Sequence, residues 1–584
     1  MMRRKPNMTL TKTPMPEQSI EQRLTNFDEV ELGYTPEQAM QEAERCLNCP
    51  DRYCAAHCPA HNYIPEFIAE IRAGRFDRAW ELLACTNPMM EISGRVCPYE
   101  CQCESHCTRG IKGEPVAIGK LERFVSDWHR SNIAPVQREV VANGLKAAVV
   151  GGGPAGLTCA LSLAESGFTV TVYEKEDHTG GVPSWGIPPF VLPRQLLARL
   201  SKQLEEQPNA AIRLNTALER DITLDELVHD NDAVFLATGA ERPVELNLPG
   251  RELAQVVQAR DYLTHPETYS GKRVLVIGGG NTAIDCARTA VRFGAEKVSM
   301  VCLESRETMP AAKDEIAEAE EDHVEICAGW GPQELLQDES GHVTAVVFKK
   351  CLRTIDPETG RFSPAYDESE TITIPADHVV FAIGQAIEWG SLLQDTKVEF
   401  HRGNYPVADP LTYQTAEEDI FVGGDVYHGP KFVIDAIEEG KCAAESLHRY
   451  VHKGADLKIG RNRRDFIMLD KENFSVNCYD HAARQTEAVD PAVDPHSFRD
   501  ARRTLTPEQV QTETARCLGC GASWVDPNKC IGCGVCTTKC VFDAIHLKRD
   551  HPECSTMMKA EDKLKGIASM AGKRLGETLR GRKD

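Results

Sequence analysis

The chain has 584 residues and a formal charge of −22 at pH 7, and 41% of its residues are hydrophobic. This length predicts several domains, about four by the usual domain size. The acidic balance makes nucleic acid and anionic membrane surfaces poor partners. The N-terminal residues lack the apolar segment of a signal peptide, and no apolar run reaches the ~18 residues of a membrane span. We therefore expect a cytoplasmic protein that does not span a membrane.

Cysteine is the unusual component of this composition. The chain has 23 cysteines, and fourteen of them lie in two regions near the chain ends. A chain that is not secreted rarely uses cysteine for disulfides. Metal or iron–sulfur ligation is therefore the better interpretation. The other cysteines are scattered, and most are expected to be apolar core residues.

The N-terminal region leads into the first cysteine array. Residues 1–33 are polar and are expected to be poorly ordered. A helix is predicted to begin at Thr35-Pro36-Glu37, because Thr is a good N-cap, Pro fits the first helical position and Glu suits the helix dipole. The array at the end of this helix contains Cys46, Cys49, Cys54 and Cys58.

A second array follows a predicted helical segment over residues 64–83. It contains Cys97, Cys101, Cys103 and Cys107. A single C-x-x-C pair could bind zinc, whereas two blocks of thiolates can enclose cubanes that need four protein ligands each. The two arrays together predict two [4Fe–4S] clusters.

A strand–turn–helix–strand unit occupies residues 145–176. Its first strand leads to Gly151-x-Gly153-x-x-Gly156, and a helix and a second strand follow. Glycines at this spacing permit a tight turn, close approach of N–H groups to a pyrophosphate, and close helix–strand packing. The helix N-terminus, with Pro154 and Ala155, then faces the phosphates.

Glu174 ends the second strand of this unit, where a carboxylate can hold a ribose diol. Strand, glycines, helix, strand and acid in one unit predict a nucleotide site. The alternative is a glycine-rich turn in an ordinary βαβ unit.

The same unit recurs from Arg273 onward. It has a strand, Gly278-x-Gly280-x-x-Ala283, a helix that opens with Asn281 and Thr282, and a strand that leads to Glu304. Two dinucleotides on one chain indicate that one passes a hydride to the other. The acidic helix over residues 314–322 is expected to present a solvated face, and the strand-rich residues 343–380 are expected to complete this domain.

The C-terminal region repeats the N-terminal pattern after a polar linker. Thr506-Pro-Glu-Gln and the following Arg-Cys-Leu-x-Cys match the sequence that begins at Thr35, at a constant offset of 471. This match predicts the same capped helix, which here presents Cys517 and Cys520.

A bacterial ferredoxin run comes next, with Val541 in place of the usual Pro. In two-cluster ferredoxins the fourth cysteine of such a run serves the other cluster. One cluster would then use the first three cysteines of the run, and a second would use the fourth with Cys517 and Cys520. Cys554 could supply one more ligand, so one or two C-terminal [4Fe–4S] clusters are predicted. The run consists of Cys530, Cys533, Cys536 and Cys540. The tail that follows is basic.

The spacing C-x2-C-x4-C-x3-C, then TNP, GRVCP and C-x5-C-x3-C, resembles the N-terminal domain of the glutamate synthase small subunit. It is similar also to the matching parts of dihydropyrimidine dehydrogenase and of the large subunit of bifurcating NADH-dependent ferredoxin–NADP oxidoreductase. The resemblance covers about residues 30–450. It implies that the ligands interleave, with one cluster on Cys46, Cys49, Cys54 and Cys107 and the other on Cys58, Cys97, Cys103 and Glu122. Cys101 is an extra cysteine, either a bystander or a replacement for Glu122.

The resemblance also implies an FAD site built from the first unit and from later segments. The loop after Gly180 lies along the flavin, the ATG segment crosses to a second domain, an aspartate after the last strand holds the ribityl chain, and a helix N-terminus lies near the isoalloxazine. The implied residues are Gly181, Val182, Thr238, Gly239, Gly424, Asp425, Lys431 and Val433. Gly384, in the return crossing, is assigned to the nicotinamide nucleotide.

Glu304 predicts which nicotinamide nucleotide binds. Resembling NADPH enzymes carry two arginines where this chain has Leu303 and Glu304. A carboxylate accepts hydrogen bonds from a free 2′-hydroxyl and repels a 2′-phosphate. We therefore predict NAD(H) over NADP(H). The alternative is that Glu304 points to solvent and Arg306 serves a phosphate.

The predicted fold is multidomain, with an N-terminal α-helical iron–sulfur domain, two Rossmann-type three-layer α/β domains and a C-terminal ferredoxin-like α+β module. The NAD domain is inserted in the FAD domain. The expected boundaries are 1–145 for the iron–sulfur domain, 146–265 and 381–455 for FAD, 266–380 for NAD(P), 456–505 for the linker and 506–584 for the C-terminal module.

The predicted function is that of an electron-transfer flavoprotein subunit that connects NAD(H), FAD and several [4Fe–4S] clusters with other redox subunits. The chain has no cysteine pair beside the flavin segments, which is where disulfide reductases send their electrons. No catalytic side chain is required, since the cofactors carry the chemistry. The alternatives are a free-standing NAD(P)H:ferredoxin oxidoreductase, a glutamate synthase small subunit, and a non-catalytic redox sensor or scaffold.

Overall fold

The computed structural model describes residues 6–49, 51–134, 140–266, 269–401, 403–452, 455–458, 461, 482–494, 496–516 and 535–539. The chain divides into two compact units, Met1–Arg463 and Arg464–Asp584. Among the described residues, none of the helices is both long and apolar enough to cross a membrane.

The N-terminal part of the first unit is helical, as expected from the sequence. Thr35 caps helix α2 (Pro36–Ala43) through two reciprocal hydrogen bonds. The Gln38 N–H donates to the Thr35 side chain, and the Thr35 N–H donates to the Gln38 side chain. The predicted segment 64–83 is two helices, which separate at Gly74. One 3-10 helix, Tyr99–Cys101, lies within the second cysteine array, and another, Thr108–Ile111, follows it. The α-helices are α1 (Ile20–Arg23), α2 (Pro36–Ala43), α3 (Tyr53–Ala56), α4 (Ile64–Arg72), α5 (Phe76–Ala84), α6 (Met90–Val96) and α7 (Ile118–Asn132).

The expectation that residues 1–33 are poorly ordered is wrong for the described residues 6–33. Thr13, Arg23 and Val30 are buried in this stretch. Its polar side chains form ion pairs with residues far along the chain, and those partners could not be read from the local sequence.

The first α/β domain is built on a five-stranded parallel sheet. Its strands lie in the order β17 (Ile420–Val422), β4 (Ala233–Leu236), β1 (Lys146–Val150), β2 (Thr169–Tyr173) and β3 (Ala210–Arg213). Helices α8 (Pro154–Glu165) and α16 (Val433–Val451) pack against each other on one face of this sheet. The elements of this part, up to the first crossing, are β1 (Lys146–Val150), α8 (Pro154–Glu165), β2 (Thr169–Tyr173), α9 (Val182–Trp185), α10 (Arg194–Glu205), β3 (Ala210–Arg213), α11 (Leu224–Asp230), β4 (Ala233–Leu236) and β5 (Arg242–Pro243).

The second α/β domain has a five-stranded parallel sheet of order β6-β13-β7-β8-β9, with a three-stranded antiparallel sheet β10-β11-β12. Its strands lie between β4 and β17 in sequence. The elements are β6 (Val256–Gln258), α12 (Ala259–Thr264), β7 (Arg273–Ile277), α13 (Asn281–Arg292), β8 (Lys297–Cys302), α14 (Lys313–Glu321), β9 (Glu325–Ala328), β10 (Trp330–Gln337), β11 (Val343–Ile355), β12 (Phe362–Pro375) and β13 (His378–Phe381).

Strand β6 lies before residue 266, where this domain was expected to begin. Val256 and Val257 pair in parallel with Val379 and Val380 of β13. A run of two valines is too short to predict a strand, and only the pairing with β13 assigns it to the second sheet.

The chain then returns to the first sheet. Strands β5 and β14 pair at the crossing between the two domains. Helix α16 packs so closely on α8 that a Cβ at Gly440 would lie 2.3 Å from the Ala155 carbonyl oxygen. The elements are β14 (Gln385–Ala386), β15 (Phe400–His401), β16 (Tyr405–Pro406), β17 (Ile420–Val422), α15 (Asp425–His428) and α16 (Val433–Val451).

One continuous hydrophobic cluster joins the helical region to the first sheet. It includes Phe67, Leu83 and Leu121 from the N-terminal helices, and Phe168 and Leu447 from the first α/β domain. The N-terminal helices therefore pack on the same core as the first glycine turn.

The second unit contains α17 (Pro507–Ala515) and α18 (Val535–Lys539). Thr506 caps α17 through the same reciprocal bonds with Gln509 that Thr35 makes with Gln38. The repeated sequence thus forms the same capped helix twice.

Candidate functional site

The first glycine turn connects β1 to α8. Gly151 has φ +106°, and a Cβ there would lie 2.2 Å from the Ala237 carbonyl oxygen. A Cβ at Gly156 would lie 1.9 Å from the Gly151 carbonyl oxygen. Only glycine fits these two positions, because one needs a left-handed conformation and the other needs direct contact of helix with turn.

The space at the start of α8 is open. A Cβ at Gly153 would have no neighbour nearer than the Gly181 Cα at 3.8 Å. No side chain caps α8, which begins at Pro154. The first N–H groups of a helix need a partner, and the helix dipole makes an anion the favoured one. This space therefore fits a pyrophosphate.

Glu174 lies directly over this turn and is 7% exposed. Its Oε2 accepts a hydrogen bond from the Gly152 N–H at 2.7 Å, and its Oε1 accepts one from the Glu176 N–H at 2.9 Å. Burial raises the pKa of Glu174, and the two N–H donors oppose that rise. The carboxylate is thus held over the middle of the glycine turn, from where it can bind a ribose diol.

Two further segments of the first α/β domain reach the same turn. A Cβ at Gly181 would lie 2.9 Å from the Gly153 Cα, and the Gly180 N–H donates to the Gly152 carbonyl. A Cβ at Gly424 would lie 3.1 Å from the Ala155 Cβ. The structure therefore brings these predicted site residues together with the glycine turn.

The remaining predicted FAD residues border these segments. Thr238 and Gly239 follow β4, and nothing lies within 4 Å of a Cβ at Gly239. Burial raises the pKa of Asp425 to about 6, and its Oδ1 accepts the Lys431 N–H at 3.3 Å. Val433 begins α16, whose first turn has no side-chain cap.

The second glycine turn connects β7 to α13 in the same way. A Cβ at Gly278, where φ is +149°, would lie 2.2 Å from the Ala382 carbonyl oxygen. Nothing lies within 4 Å of a Cβ at Gly280, and α13 has no side-chain cap. The Asn281 side chain accepts a hydrogen bond from the Ala312 N–H at 2.9 Å. This turn offers the same open, uncapped helix start as the first.

Thr282 is exposed in the first turn of α13. Gly384 follows β13, and no atom lies within 4 Å of a Cβ there. Both residues therefore border accessible space at the carboxyl edge of the second sheet.

Glu304 occupies the same position in the second unit as Glu174 in the first. A Cβ at Gly279 would lie 2.8 Å from the Glu304 Oε2, and a Cβ at Gly152 would lie 2.9 Å from the Glu174 Oε2. Arg306 is engaged elsewhere, since its Nη2 forms an ion pair with the Glu320 Oε2 at 2.7 Å. Glu304 therefore faces the turn, whereas Arg306 is directed to a surface carboxylate.

One group of cysteines lies around Cys54. Burial, then the thiols of Cys46, Cys107 and Cys49, raise the pKa of Cys54 to about 12. Burial raises the pKa of Cys46 to about 11, with smaller contributions from Cys107 and Cys49. The Cys49 Sγ lies 3.4 Å from the Thr108 Oγ1. We call these four residues the outer thiol group.

A second group lies around Glu122 and is more deeply buried. Burial, then Glu122 and Cys58, raise the pKa of Cys97 well above its usual range. Burial, then Glu104, Cys58, Cys97 and Glu122, do the same for Cys103. Burial raises the pKa of Cys58 to about 11, and Glu122 adds to that rise. We call Cys58, Cys97, Cys103 and Glu122 the inner group. Cys101 is exposed.

Glu122 is held by three polar side chains that the sequence did not single out. Asn87 and Ser93 donate to its Oε1, and Asn62 donates to its Oε2 at 3.3 Å. Burial raises the pKa of Glu122 to about 7. These donors fix the carboxylate beside the thiols, and nothing in their spacing predicted it.

Both groups have the chemistry that iron–sulfur ligation requires. Thiols with raised pKa values carry protons, which they release when metal binds. Among the described residues, no three His, Cys, Asp or Glu side chains are spaced to hold one metal ion. Ligands of a cubane bind separate iron corners and stand further apart than ligands of a single ion. The thiols of both groups are the kind of ligand that iron–sulfur clusters use.

Lys441 on α16 connects the first α/β domain to the inner group. Its Nζ donates to the carbonyl oxygens of Ala60 at 3.2 Å and Thr86 at 2.6 Å, and pairs with Glu438 at 2.8 Å. The positive charge of Lys441 also acts to lower the pKa of Cys58, against the effect of burial. A sequence separation of more than 300 residues hides this contact from sequence reasoning.

Most predicted C-terminal ligands lie outside the described residues. These are Cys517, Cys520, Cys530, Cys533 and Cys540, together with the additional candidate Cys554. Cys536 is described, and it is exposed on α18.

Three protein families match this chain. The family described as pyridine nucleotide-disulphide oxidoreductase matches residues 145–440. Dihydropyrimidine dehydrogenase domain II, with a 4Fe-4S cluster, matches residues 23–134, and a 4Fe-4S binding domain matches residues 523–546.

Several relatives are similar over most of their length. The glutamate synthase [NADPH] small chain of Halomonas elongata is 34% identical over 448 residues, which cover 74% of this chain and 94% of the relative. The beta subunit of NADP(+)-dependent formate dehydrogenase from Moorella thermoacetica is 32% identical over 502 residues, covering 80% and 70%. The PreT subunit of NAD-dependent dihydropyrimidine dehydrogenase from Escherichia coli is 33% identical over 430 residues, covering 73% and 97%.

Proposed function

The chain belongs to the glutamate synthase small-chain family of flavin- and iron–sulfur-dependent oxidoreductases, and we propose that it is the NAD(H)-linked electron-transfer subunit of a multi-subunit redox complex. The observation that carries this proposal is the presence of two open glycine turns in one chain, with the inner thiol group joined to the first of them through α16. The chemistry that a bound flavin supplies is acceptance of a hydride, a proton with two electrons, from a reduced nicotinamide, and release of those electrons singly to iron–sulfur clusters.

The first turn is proposed as the FAD site and the second as the nicotinamide site. The first turn is met by two additional segments, the Gly180 loop and the start of α15, whereas the segment that meets the second turn is the loop of residues 310–312. A larger ligand that extends from the pyrophosphate along those segments suits FAD. The second turn offers Gly280 and Glu304, which suffice for the adenosine diphosphate part of a nicotinamide nucleotide.

NAD(H) is proposed over NADP(H) because Glu304 faces the turn. A carboxylate at this distance accepts hydrogen bonds from a ribose diol and repels a phosphate. Arg306, which could have served a phosphate, is paired with Glu320. The relatives include both NADPH-linked and NAD-linked proteins. Membership of the family therefore does not determine the nucleotide, and the residues of the site do.

The outer and inner thiol groups are proposed to hold two [4Fe–4S] clusters, and the C-terminal cysteines one or two more. Helix α16 begins in the flavin segment, and its Lys441 binds the carbonyl oxygens of Ala60 and Thr86, near Cys58 of the inner group. The inner cluster is therefore proposed to receive electrons from the flavin before the outer one does.

The partner is proposed to be another redox subunit, and ferredoxin is a second possibility. Relatives such as the formate dehydrogenase beta subunit and PreT are named as subunits of larger enzymes. A free-standing NAD(P)H:ferredoxin oxidoreductase is the alternative, and a glutamate synthase small subunit is another. A stable heteromer after anaerobic purification from the source cell supports a complex, and the companion chains identify which one.

The central test is anaerobic reduction of the purified protein. Addition of NADH is expected to bleach the flavin absorbance and then the iron–sulfur absorbance, and NADPH is expected to do so much more slowly. A protein whose flavin responds to neither nucleotide would be the redox sensor or scaffold instead. Faster reduction by NADPH would leave the electron-transfer role intact and refute only the NAD(H) assignment.

A further inference from the structure

Residues 17–31, which we call the strap, form a closed loop near the N-terminus. An antiparallel bridge joins Glu17 to Glu31, and the Gln18 N–H donates to the Val30 carbonyl at 2.9 Å. The short helix α1 lies inside this loop, and Ser19 caps it. The loop is therefore closed by its own hydrogen bonds, and its tip can contact another part of the molecule.

The tip of the strap inserts Arg23 into the second α/β domain. The Arg23 side chain is 2% exposed, its Nε lies 2.7 Å from the Asp322 Oδ1, and its Nη2 lies 2.8 Å from the Glu321 Oε2. A buried guanidinium with two carboxylate partners forms a strong and directional contact. This contact joins the N-terminal segment to the end of α14.

Asp322 is the centre of a buried charge cluster. It is fully buried and also accepts hydrogen bonds from Arg288 at 2.8 Å and Arg292 at 2.9 Å. Burial alone would raise its pKa, but the guanidiniums of Arg288 and Arg292 hold the pKa below its usual range. Asp322 thus stays charged and paired with arginines from the strap and from α13.

The cluster also rests on the first α/β domain. The Phe190 ring lies under the guanidiniums of Arg292, at 3.9 Å, and Arg288, at 5.1 Å. The ring centroid of Phe27, in the strap, lies 6.2 Å from that of Phe190 and 5.0 Å from that of Phe293. Cation–π and aromatic contacts of this kind favour one relative orientation of their partners.

The other side of the strap is anchored to helices α6 and α7. Glu29 forms ion pairs with Arg95 at 2.7 Å and Arg123 at 2.9 Å, and Glu31 pairs with Arg123 at 2.9 Å and with Lys120. Arg95 and Arg123 are almost fully buried. The strap therefore has a fixed base from which Arg23 reaches the second domain.

These contacts connect the two glycine turns. Arg288 and Arg292 lie on α13, the helix that starts at the second turn, and Phe190 belongs to the loop that begins at Gly180 beside the first turn. We propose that the strap, through Arg23 as a positioning residue, holds the second α/β domain in the orientation that brings the nicotinamide to the flavin. This inference rests on the proposed function.

Arg23→Met tests this role. The change removes the charge but keeps an unbranched side chain. Asp322 loses the hydrogen bond to its Oδ1 but keeps its ion pairs with Arg288 and Arg292 through Oδ2, and Glu321 is 54% exposed. The limiting rate of flavin reduction by NADH in anaerobic stopped-flow is expected to fall about tenfold or more, because small displacements slow oriented reactions steeply. The dissociation constant for NADH, the flavin content and the iron content are expected to stay unchanged.

The long-wavelength charge-transfer absorbance between nicotinamide and flavin is the second readout. It reports their stacking and is expected to weaken in Arg23→Met, to recover partly in Arg23→Lys, and to weaken also in Phe27→Ala. Arg220→Met is the matched control, since Arg220 pairs with Asp221 on an exposed surface. If Arg23→Met loses flavin, the Phe27→Ala variant carries the test.

An unchanged reduction rate and charge-transfer band in both strap variants would overturn the inference while the proposed function stands. A change confined to the NADH dissociation constant would also overturn it, since positioning acts after binding. If NADH and NADPH both fail to reduce the flavin of the wild-type protein, the proposed function itself fails, and the inference fails with it.

Discussion

At the scale of single residues, the proposed nucleotide specificity depends on two acids. Glu174 and Glu304 come from the same place in two copies of one unit, and each carboxylate lies over the middle of its glycine turn. Both could be predicted from the sequence, because the distance along a βαβ unit sets where the second strand ends. The ion pair between Arg306 and Glu320 could not be predicted, since it depends on where α14 lies.

Glu304→Arg is expected to reverse the nucleotide preference. An arginine over the second turn loses the hydrogen bonds to the ribose diol and attracts a 2′-phosphate. The ratio of kcat/KM for NADH to that for NADPH should fall more than about 100-fold, equivalent to roughly 2.7 kcal/mol. Glu307→Arg, on the same loop and exposed, is the control and should leave the ratio near its original value. Equal ratios in the two variants would contradict the role of Glu304.

Glu122→Ala and Cys101→Ala together identify the fourth ligand of the inner group. Loss of Glu122 is expected to remove or destabilise the inner cluster, which lowers the iron content by up to about four irons per chain. Cys101 is exposed, so Cys101→Ala should keep all of the iron. The measurement is iron and sulfide analysis with electron paramagnetic resonance of the reduced protein. Loss of iron in Cys101→Ala alone would assign Cys101 as the ligand.

At the scale of elements, the glycine turns and capped helices follow from local sequence. Thr35 and Thr506 cap their helices by identical bonds. The acidic helix over residues 314–322 was only partly as expected. Its end is not solvated, because Asp322 is enclosed by Arg23, Arg288 and Arg292. Periodicity describes which residues share a face of a helix, but another part of the chain decides whether that face meets solvent.

Gly280→Val and Gly278→Ala should separate binding from folding. Gly280 has φ −94° and ψ 176°, which any residue adopts, and its Cβ would meet nothing, so the variant should fold and keep its flavin. A side chain there occupies the pyrophosphate space, and the dissociation constant for NADH should rise at least about tenfold, or roughly 1.4 kcal/mol. Gly278→Ala should instead lower the thermal stability, since its Cβ would collide with the Ala382 carbonyl. Normal NADH binding by Gly280→Val would place the nucleotide elsewhere.

At the scale of the whole molecule, the first unit is a continuous structure. A shared hydrophobic cluster, Lys441 and the strap each join the N-terminal helical region to an α/β domain. Electron transfer between cofactors requires fixed separations, and this packing supplies them for the part of the chain that the structure describes.

Lys441→Gln is expected to slow electron passage from flavin to the inner cluster. The substitution shortens the side chain and removes the charge near Cys58, so α16 is held less firmly against Ala60 and Thr86. Reduction of the flavin by NADH should be unchanged, while the following iron–sulfur phase should slow severalfold in stopped-flow absorbance. Lys202→Gln, on the exposed side of α10, is the control. Equal slowing of both phases would point to general disruption instead.

A chain that ends at Arg463 should fold and retain part of the activity. The boundary between the two compact units lies there. The shortened protein is expected to bind FAD, to be reduced by NADH, and to hold about eight irons, the content of two [4Fe–4S] clusters. Loss of flavin on this truncation would show that the first unit depends on the second.

The sequence alone determined the cysteine arrays, the two glycine turns, their acids and the capped helices, since each is a pattern within about thirty residues whose geometry follows from backbone rules. Only the tertiary structure decided how Glu122 is held beside its thiols, how Lys441 reaches Ala60 and Thr86, and how the strap contacts Asp322. Those contacts join residues from 29 to 381 positions apart. Burial and charge pairing across such separations depend on packing, which no local pattern records.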